Sequence, residues 1–187
     1  MSISPQQAEA ALERAECLYR SDAVNAALDR MAAGIATALA GKNPILLCVM
    51  TGGIVTTGHL LTRLRFPLQL DYLHATRYRG ATSGGEIRWL ARPALPLAGR
   101  AVLVVDDILD EGHTLAAILE YCREQGASEV HLAALVEKRH GRKAPGIRAD
   151  FLGLEVEDRY VFGFGMDYQG YLRNLPAIYA LGEGDDE

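Results

Sequence analysis

Apolar residues recur at helical spacing from the start of the chain. Ala8, Ala11, Leu12, Ala15 and Leu18 fall on one face. Ser4 can cap this helix, Pro5 suits its first turn, and Gln7 can reach back as a capping-box partner. Ser21 or Asp22 caps a second helix that carries Val24, Leu28, Met31, Ile35 and Leu39 and ends near Gly41. Residues 1–41 therefore read as a helical N-terminal extension.

From Pro44 the pattern changes. Residues 45–50 are uniformly apolar, as in a strand buried on both faces. Thr51, Gly52 and Gly53 form a turn, and a helical stretch follows to about Leu64. Residues 67–78 alternate in part and predict a strand. Residues 79–86 are polar and glycine-rich and predict a loop, and a strand resumes over 87–91. Residues 101–105 are a second buried strand and 106–113 an acidic loop. A helix follows over 114–125, closed by Gly126, and then a third buried strand over 130–136. Strand, helix and strand at this spacing predict a βαβ unit and an α/β fold with a mostly parallel sheet. After Asp150 come short strands and aromatic residues, then an acidic tail over 182–187. No repeat or linker divides the chain, so its 187 residues read as a single domain.

Composition narrows the function. Apolar residues make up 49%, enough for a full core, and the net charge is −5. A nucleic-acid binder usually carries a basic excess, so no nucleic-acid partner is expected. The longest apolar run is too short to span a membrane, and the N-terminus lacks the pattern of a signal peptide. Three cysteines, Cys17, Cys48 and Cys122, form no CxxC pair and favour a reducing, cytoplasmic setting.

The densest chemistry follows the strand that ends at Val105. Asp106, Asp107, Asp110 and Glu111 lead into Gly112, His113 and Thr114, which open a helix. Ligands of open α/β sheets bind beyond the carboxyl ends of strands, and a helix N-terminus suits a phosphate. Gly112 allows close backbone approach and Thr114 adds a hydroxyl. The carboxylates make sense there as partners of ribose hydroxyls or magnesium. An acidic surface loop with a helix cap explains the same residues.

This loop resembles the signature that binds phosphoribosyl diphosphate in type I phosphoribosyltransferases, and the likeness extends over roughly three quarters of the chain. It is closest to the hypoxanthine-guanine branch. The shared motifs are residues 47–53, the acidic loop, residues 135–139, residues 160–163, Asp167 with Tyr168, and residues 171–175. The resemblance implies the type I fold with a small hood, magnesium as cofactor, 6-oxopurine and phosphoribosyl diphosphate as substrates, and a homodimer or homotetramer.

It also implies roles for single residues. Asp106 and Asp107 hold the ribose hydroxyls and magnesium. Asp110 is the general base, although its position equally suits a helix N-cap. The turn from Asp110 through Glu111, Gly112 and His113 to Thr114 receives the 5-phosphate. Glu111 departs from the Thr or Ser of many relatives, so it either faces solvent or weakens phosphate binding. Thr51 and Gly52 cradle diphosphate through backbone N–H groups, and Arg173 binds it too. Many relatives have lysine in place of Thr51. A cis peptide between Met50 and Thr51 belongs to the same pattern. Lys138 meets the 6-oxo group, Tyr160 stacks on the purine, Val161 meets the base edge, and Asp167 lies near the 2-position and a second metal. Arg77 and Tyr78 begin a lid that continues over 79–86, and Arg77 could supply the charge missing at Thr51.

Taken alone, each residue has a plainer explanation: Lys138 as a solvated strand end, Tyr160 as core packing, Arg173 as a surface arginine. Competing functions are a nucleotide-sensing RNA-binding regulator on the same fold, an orotate or adenine phosphoribosyltransferase, and a non-enzymatic module with an acidic metal loop.

Overall fold

The computed structural model describes residues 3–77 and 87–182. In chain order the elements are α1 (Pro5–Arg14), β1 (Glu16–Tyr19), α2 (Ser21–Leu39), β2 (Ile45–Val49), α3 (Gly53–Leu61), β3 (Gln69–Arg77) and β4 (Ile87–Ala91). Then come β5 (Ala101–Leu109), α4 (His113–Glu124), β6 (Glu129–Lys138), β7 (Phe151–Val156), β8 (Val161–Phe162) and β9 (Ile178–Ala180). Two sheets result. The larger has the order β4-β3-β2-β5-β6-β7 and is parallel except for β4; the smaller is antiparallel, in the order β1-β9-β8.

The apolar runs explain the layering. Successive strand residues point to opposite faces, so a strand covered on both sides has no polar phase. Leu46, Leu103 and Leu135 pack against Leu28, Met31 and Ile35 of α2. Their neighbours Ile45, Leu47, Val102 and Leu132 pack on the other face against Leu115, Ile118 and Cys122 of α4. Helices thus cover both faces of the mostly parallel sheet, as expected for an α/β fold.

The N-terminal region departs from the helical expectation. The capping box at Ser4 and Gln7 forms, but α1 ends at Arg14, and Leu18 lies in β1 rather than on a helix. Four residues at near-helical spacing were captured by a partner about 160 positions away: β1 pairs with β9. Tertiary pairing overrode local periodicity. Consequently α1 packs with the small sheet through Ala11 and Phe162, whereas α2 covers the large one. The N-cap of α2 is Arg20, which makes no side-chain cap hydrogen bond. The third helix stops at Leu61, short of the expected Leu64.

A buried carboxylate pins the connection after β4. Asp71 in β3 accepts hydrogen bonds from the N–H groups of Ala94 and Leu95, both at 2.7 Å, through one oxygen. Its other oxygen accepts from the Tyr72 N–H. Removing it takes the acceptor from three backbone N–H groups at once. Asp71→Ala should therefore lower unfolding free energy by about 2–4 kcal/mol, measured by urea denaturation.

Candidate active site

The strand β5 runs further than its apolar run suggests. It extends through Asp106 and Asp107 to Leu109, pairing with β6 as far as Leu109 opposite Glu137. The two aspartates therefore belong to a strand rather than to a loop, and α4 begins at His113, one residue earlier than expected. Asp107 is buried and Asp106 half-buried. The Asp107 N–H donates to Asp106 Oδ1, and the Ile108 N–H donates to Asp107 Oδ1.

Burial, and then the neighbouring Asp107 charge, push the Asp106 carboxyl well above its ordinary range. Burial raises Asp107 as well. Among the described residues the cation nearest the pair is Arg173, with Nη1 at 4.0 Å from Asp107 Oδ2. Two adjacent, desolvated carboxylates with so little counter-charge fit a hard divalent cation that takes oxygen ligands.

Backbone closes around this pair. The peptide between Met50 and Thr51 is cis, as the resemblance implied. A Cβ on Gly52 would overlap the Asp107 carboxylate. A Cβ on Gly165, where φ is +104°, would overlap the Gly52 carbonyl. Three segments meet where only glycine leaves room. Arg173 bridges them: Nη1 donates to the Gly165 carbonyl at 2.6 Å and Nη2 lies 2.5 Å from Asp167 Oδ1. The other Asp167 oxygen accepts from the Gly170 N–H.

Asp110 follows on the turn out of β5. Lys138 Nζ lies 3.0 Å from its Oδ2, and His140 Nε2 lies 2.7 Å from its Oδ1. Burial pushes this carboxyl up, but the bonds from Lys138 and then His140 outweigh it and leave it below its ordinary range. Carboxylates a few residues apart are thus driven in opposite directions, the pattern expected where groups have different chemical tasks.

Gly112, in the left-handed region at φ +76°, turns the chain into α4. Glu111 is half-exposed and points towards His113 and Arg142, each 3.9 Å away, so it takes the solvent-facing alternative. The backbone N–H groups at the start of α4 remain available to an anion, beside the His113 imidazole and the Thr114 hydroxyl.

These elements enclose a cavity of about 330 Å³ lined by Gly52, Asp107, Asp110, Lys138, Tyr160, Val161, Asp167 and Arg173, among others. Eight of the residues marked in the sequence therefore meet around one space. Tyr160 stands at its rim, 36% exposed, with its hydroxyl donating to the Asp167 carbonyl at 3.3 Å and its ring edge-on to Tyr168. Asp106, Thr51 and residues 111–114 adjoin this space without lining it. Arg77 closes β3, and Tyr78 with the rest of the expected lid lies outside the described residues. A wider groove of about 420 Å³ along β7 is lined by Tyr19, Arg139 and Glu155 and holds none of the marked residues.

His140 was missed in the sequence. Its signal was weak: an imidazole two positions after Lys138, beyond the carboxyl end of a buried strand. Asp110, His140 and Asp158 bring ligand atoms within 4.8 Å of one another, a spacing that could hold a metal. Lys138 already neutralises Asp110, and the Arg142 guanidinium grips both Asp158 oxygens at 2.6 and 3.0 Å. The group is an ion-pair network.

Known proteins share this architecture. Residues 15–169 match the phosphoribosyl transferase domain family. The hypoxanthine-guanine-xanthine phosphoribosyltransferase of Tritrichomonas foetus is 34% identical over 166 residues, 89% of this chain and 91% of that protein. The hypoxanthine-guanine phosphoribosyltransferase of Streptococcus pneumoniae strain R6 is 33% identical over 89% of this chain and 92% of its own length. A solved hypoxanthine phosphoribosyltransferase from Staphylococcus aureus superposes with a TM-score of 0.85 at 27% identity, covering 89% of this chain and 91% of that one. On the domain match and on identities above 30% across most of both chains, the chain belongs to the phosphoribosyltransferase family.

Proposed function

We propose that the protein transfers the phosphoribosyl group of 5-phosphoribosyl 1-diphosphate to hypoxanthine or guanine, giving the nucleoside monophosphate and diphosphate. The observation that carries this reading is the pairing of Lys138 with Asp110 on one cavity wall. A 6-oxopurine presents an oxygen acceptor beside a ring N–H, and a cation next to a carboxylate complements both. An amino group at the 6-position would meet the Lys138 ammonium unfavourably. The names of the relatives support the same substrate class.

The purine N9 attacks C1′ of the ribose, the C1′–oxygen bond to diphosphate breaks, and the purine N7 proton passes to Asp110. Asp110 lines the cavity and is ionised, and transfer of Lys138 to the 6-oxo group would remove the largest influence that lowers its proton affinity. Arg173, with Thr51 and Gly52 backbone donors, receives the leaving diphosphate. The start of α4 holds the 5-phosphate, and the Tyr160 ring offers its face to the base. Asp106, Asp107 and Asp167 would hold magnesium, which supplies charge neutralisation for the diphosphate. Arg77 and Tyr78 begin the segment that would cover the site and exclude water from the sugar cation.

Assembly and location follow the same reading. Leu70 and Tyr72 project from one face of β3 and are half-exposed, as is Leu90 of β4, an apolar surface suited to a second copy in a homodimer or homotetramer. Among the described residues no helix is long and apolar enough to cross a membrane. The free thiols of Cys17, Cys48 and Cys122 accord with a reducing cytoplasm.

Nucleotide formation from phosphoribosyl diphosphate and magnesium, with hypoxanthine, guanine, xanthine, adenine and orotate compared, tests the assignment. Hypoxanthine or guanine should turn over and adenine should not; preferred use of adenine or orotate would refute it. Asp110→Asn should reduce kcat by about 10²–10⁴-fold, and near-normal turnover would remove the base assignment.

The acidic pair gives a second test. An acid that holds its proton more tightly in the folded protein than in the unfolded chain withdraws stability as pH climbs above its ordinary value of 3.8. At neutral pH without magnesium, Asp107→Asn should therefore raise Tm by about 2–4 °C, the shift expected for ~1 kcal/mol in a chain of this size. It should also lose the stabilisation that magnesium and phosphoribosyl diphosphate give the parent protein. Thermal melts with and without both ligands read the two effects.

A further inference from the structure

His140 is absent from the scheme above, yet it makes the shortest contact with the group assigned as base. Its side chain is only 4% exposed, and its Nε2 lies 2.7 Å from Asp110 Oδ1. The opposite ring nitrogen, Nδ1, accepts a hydrogen bond from the Arg142 N–H at 3.1 Å. An acceptor cannot carry the proton, so the hydrogen resides on Nε2 and is donated to Asp110.

The mount is rigid. Arg142, whose backbone sets the imidazole, is clamped to both oxygens of Asp158. Lys143 Nζ donates to the Lys138 carbonyl at 2.6 Å and pairs with Glu137 at 2.9 Å. The Ala144 N–H donates to the Glu111 carbonyl at 2.7 Å, tying this loop to the turn that bears Asp110. By contrast the Asp110 side chain is 41% exposed, and among the described residues its carboxylate has two partners, one on each oxygen.

We propose that His140 is a positioning residue: its Nε2–H anchors Oδ1 of Asp110, so that Oδ2, the oxygen paired with Lys138 in the free protein, accepts the purine proton. The inference rests on Asp110 acting as the base. When a 6-oxo group draws the Lys138 ammonium away, Oδ2 becomes free and the carboxylate keeps one tether. Without His140 it would have none and would sample rotamers facing away from the base. Fixing a reacting atom in this way is a large part of catalytic advantage. Recognition of the oxo group and release of the basic oxygen then become one event.

Titration of Asp110 also feels other neighbours. Lys138 faces it from β6, and His140 and Arg142 face it from the loop after β6. Glu111 adjoins it on its own turn, and Asp158 lies close to His140. Substitution of His140 by an uncharged ring of similar size leaves those groups in place and removes one donor.

The test compares His140→Phe, which keeps the ring volume without a donor, with His140→Gln, whose amide reaches roughly where Nε2 stands. Both are assayed as full chains with magnesium, hypoxanthine and phosphoribosyl diphosphate across pH, beside Asp110→Asn. In His140→Phe, kcat should fall about 10- to 100-fold, with KM for phosphoribosyl diphosphate changed less than about twofold. The acid limb of kcat/KM should move to higher pH, because a carboxylate that loses a donor holds its proton more tightly. His140→Gln should recover most of the rate and the original limb. Parental kcat and limb in His140→Phe, or equal losses in both variants with the limb unmoved, would overturn the proposal. If Asp110→Asn itself turns over normally, the base assignment fails instead, so the two failures are distinct. Nitrogen NMR of histidine-labelled parent protein gives a readout independent of variant folding. His140 should be the Nε2–H tautomer with a resonance displaced by Asp110→Asn, and an Nδ1–H tautomer would refute the proposal.

Discussion

The structure turns on two carboxylates placed side by side at the buried end of β5 with almost no counter-charge. Burial raises the proton affinity of both, the Asp107 charge raises that of Asp106 further, and such pairs cluster at ligand sites. Everything nearby accommodates it. The segments at Gly52 and Gly165 dispense with side chains so that backbone can come into contact with Asp107 and with itself. Arg173 stands at the edge of the pair, held by the Gly165 carbonyl and Asp167 rather than fully committed to Asp107. The sheet supplies the rigidity: β5 is flanked by β2 and β6 and covered on both faces, so the strain at its end cannot relax by local unfolding.

The same few residues also separate two kinds of acid. Burial raises the carboxyls of Asp106 and Asp107, whereas Asp110 sits on a turn among donors and is held below its ordinary range. In the free protein each cation of the cavity is already partnered, Lys138 by Asp110 and Arg173 by Asp167. The cations of the cavity are therefore balanced while the acidic pair is not, so an anion reaching Lys138 or Arg173 exchanges partners with Asp110 or Asp167. Such exchange loses little solvation energy and favours ligands that can replace both halves of a pair.

Much of this was legible in the chain. The unbroken apolar runs at 45–50 and 101–105, and the one at 130–136 interrupted only by His131, identified the buried strands, because a strand with no polar phase has two covered faces. The residues that line the cavity were recognised through motifs in family order. What escaped depends on long-range pairing. β1 resembled the end of a helix because its partner β9 lies far along the chain. Asp106 and Asp107 read as a loop because polarity signals exposure, whereas the ladder with β6 continues beneath them. His140 went unmarked because its burial comes from the packing of a loop, not from sequence pattern.

The small sheet has a consequence for the order in which the molecule can be completed. All six strands of the large sheet are in hand once Val156 has been made, but β9, residues 178–180, is the central strand of the small one. It joins β1, from the beginning of the chain, to β8, which carries Val161 and adjoins Tyr160. The cavity wall that carries Tyr160 and Val161 can therefore form only after synthesis has passed Ala180, when a segment that precedes the large sheet meets one that follows it. Until then a nascent chain has the end of β5 and the start of α4 in place while the cavity wall bearing Tyr160, Asp167 and Arg173 is still open.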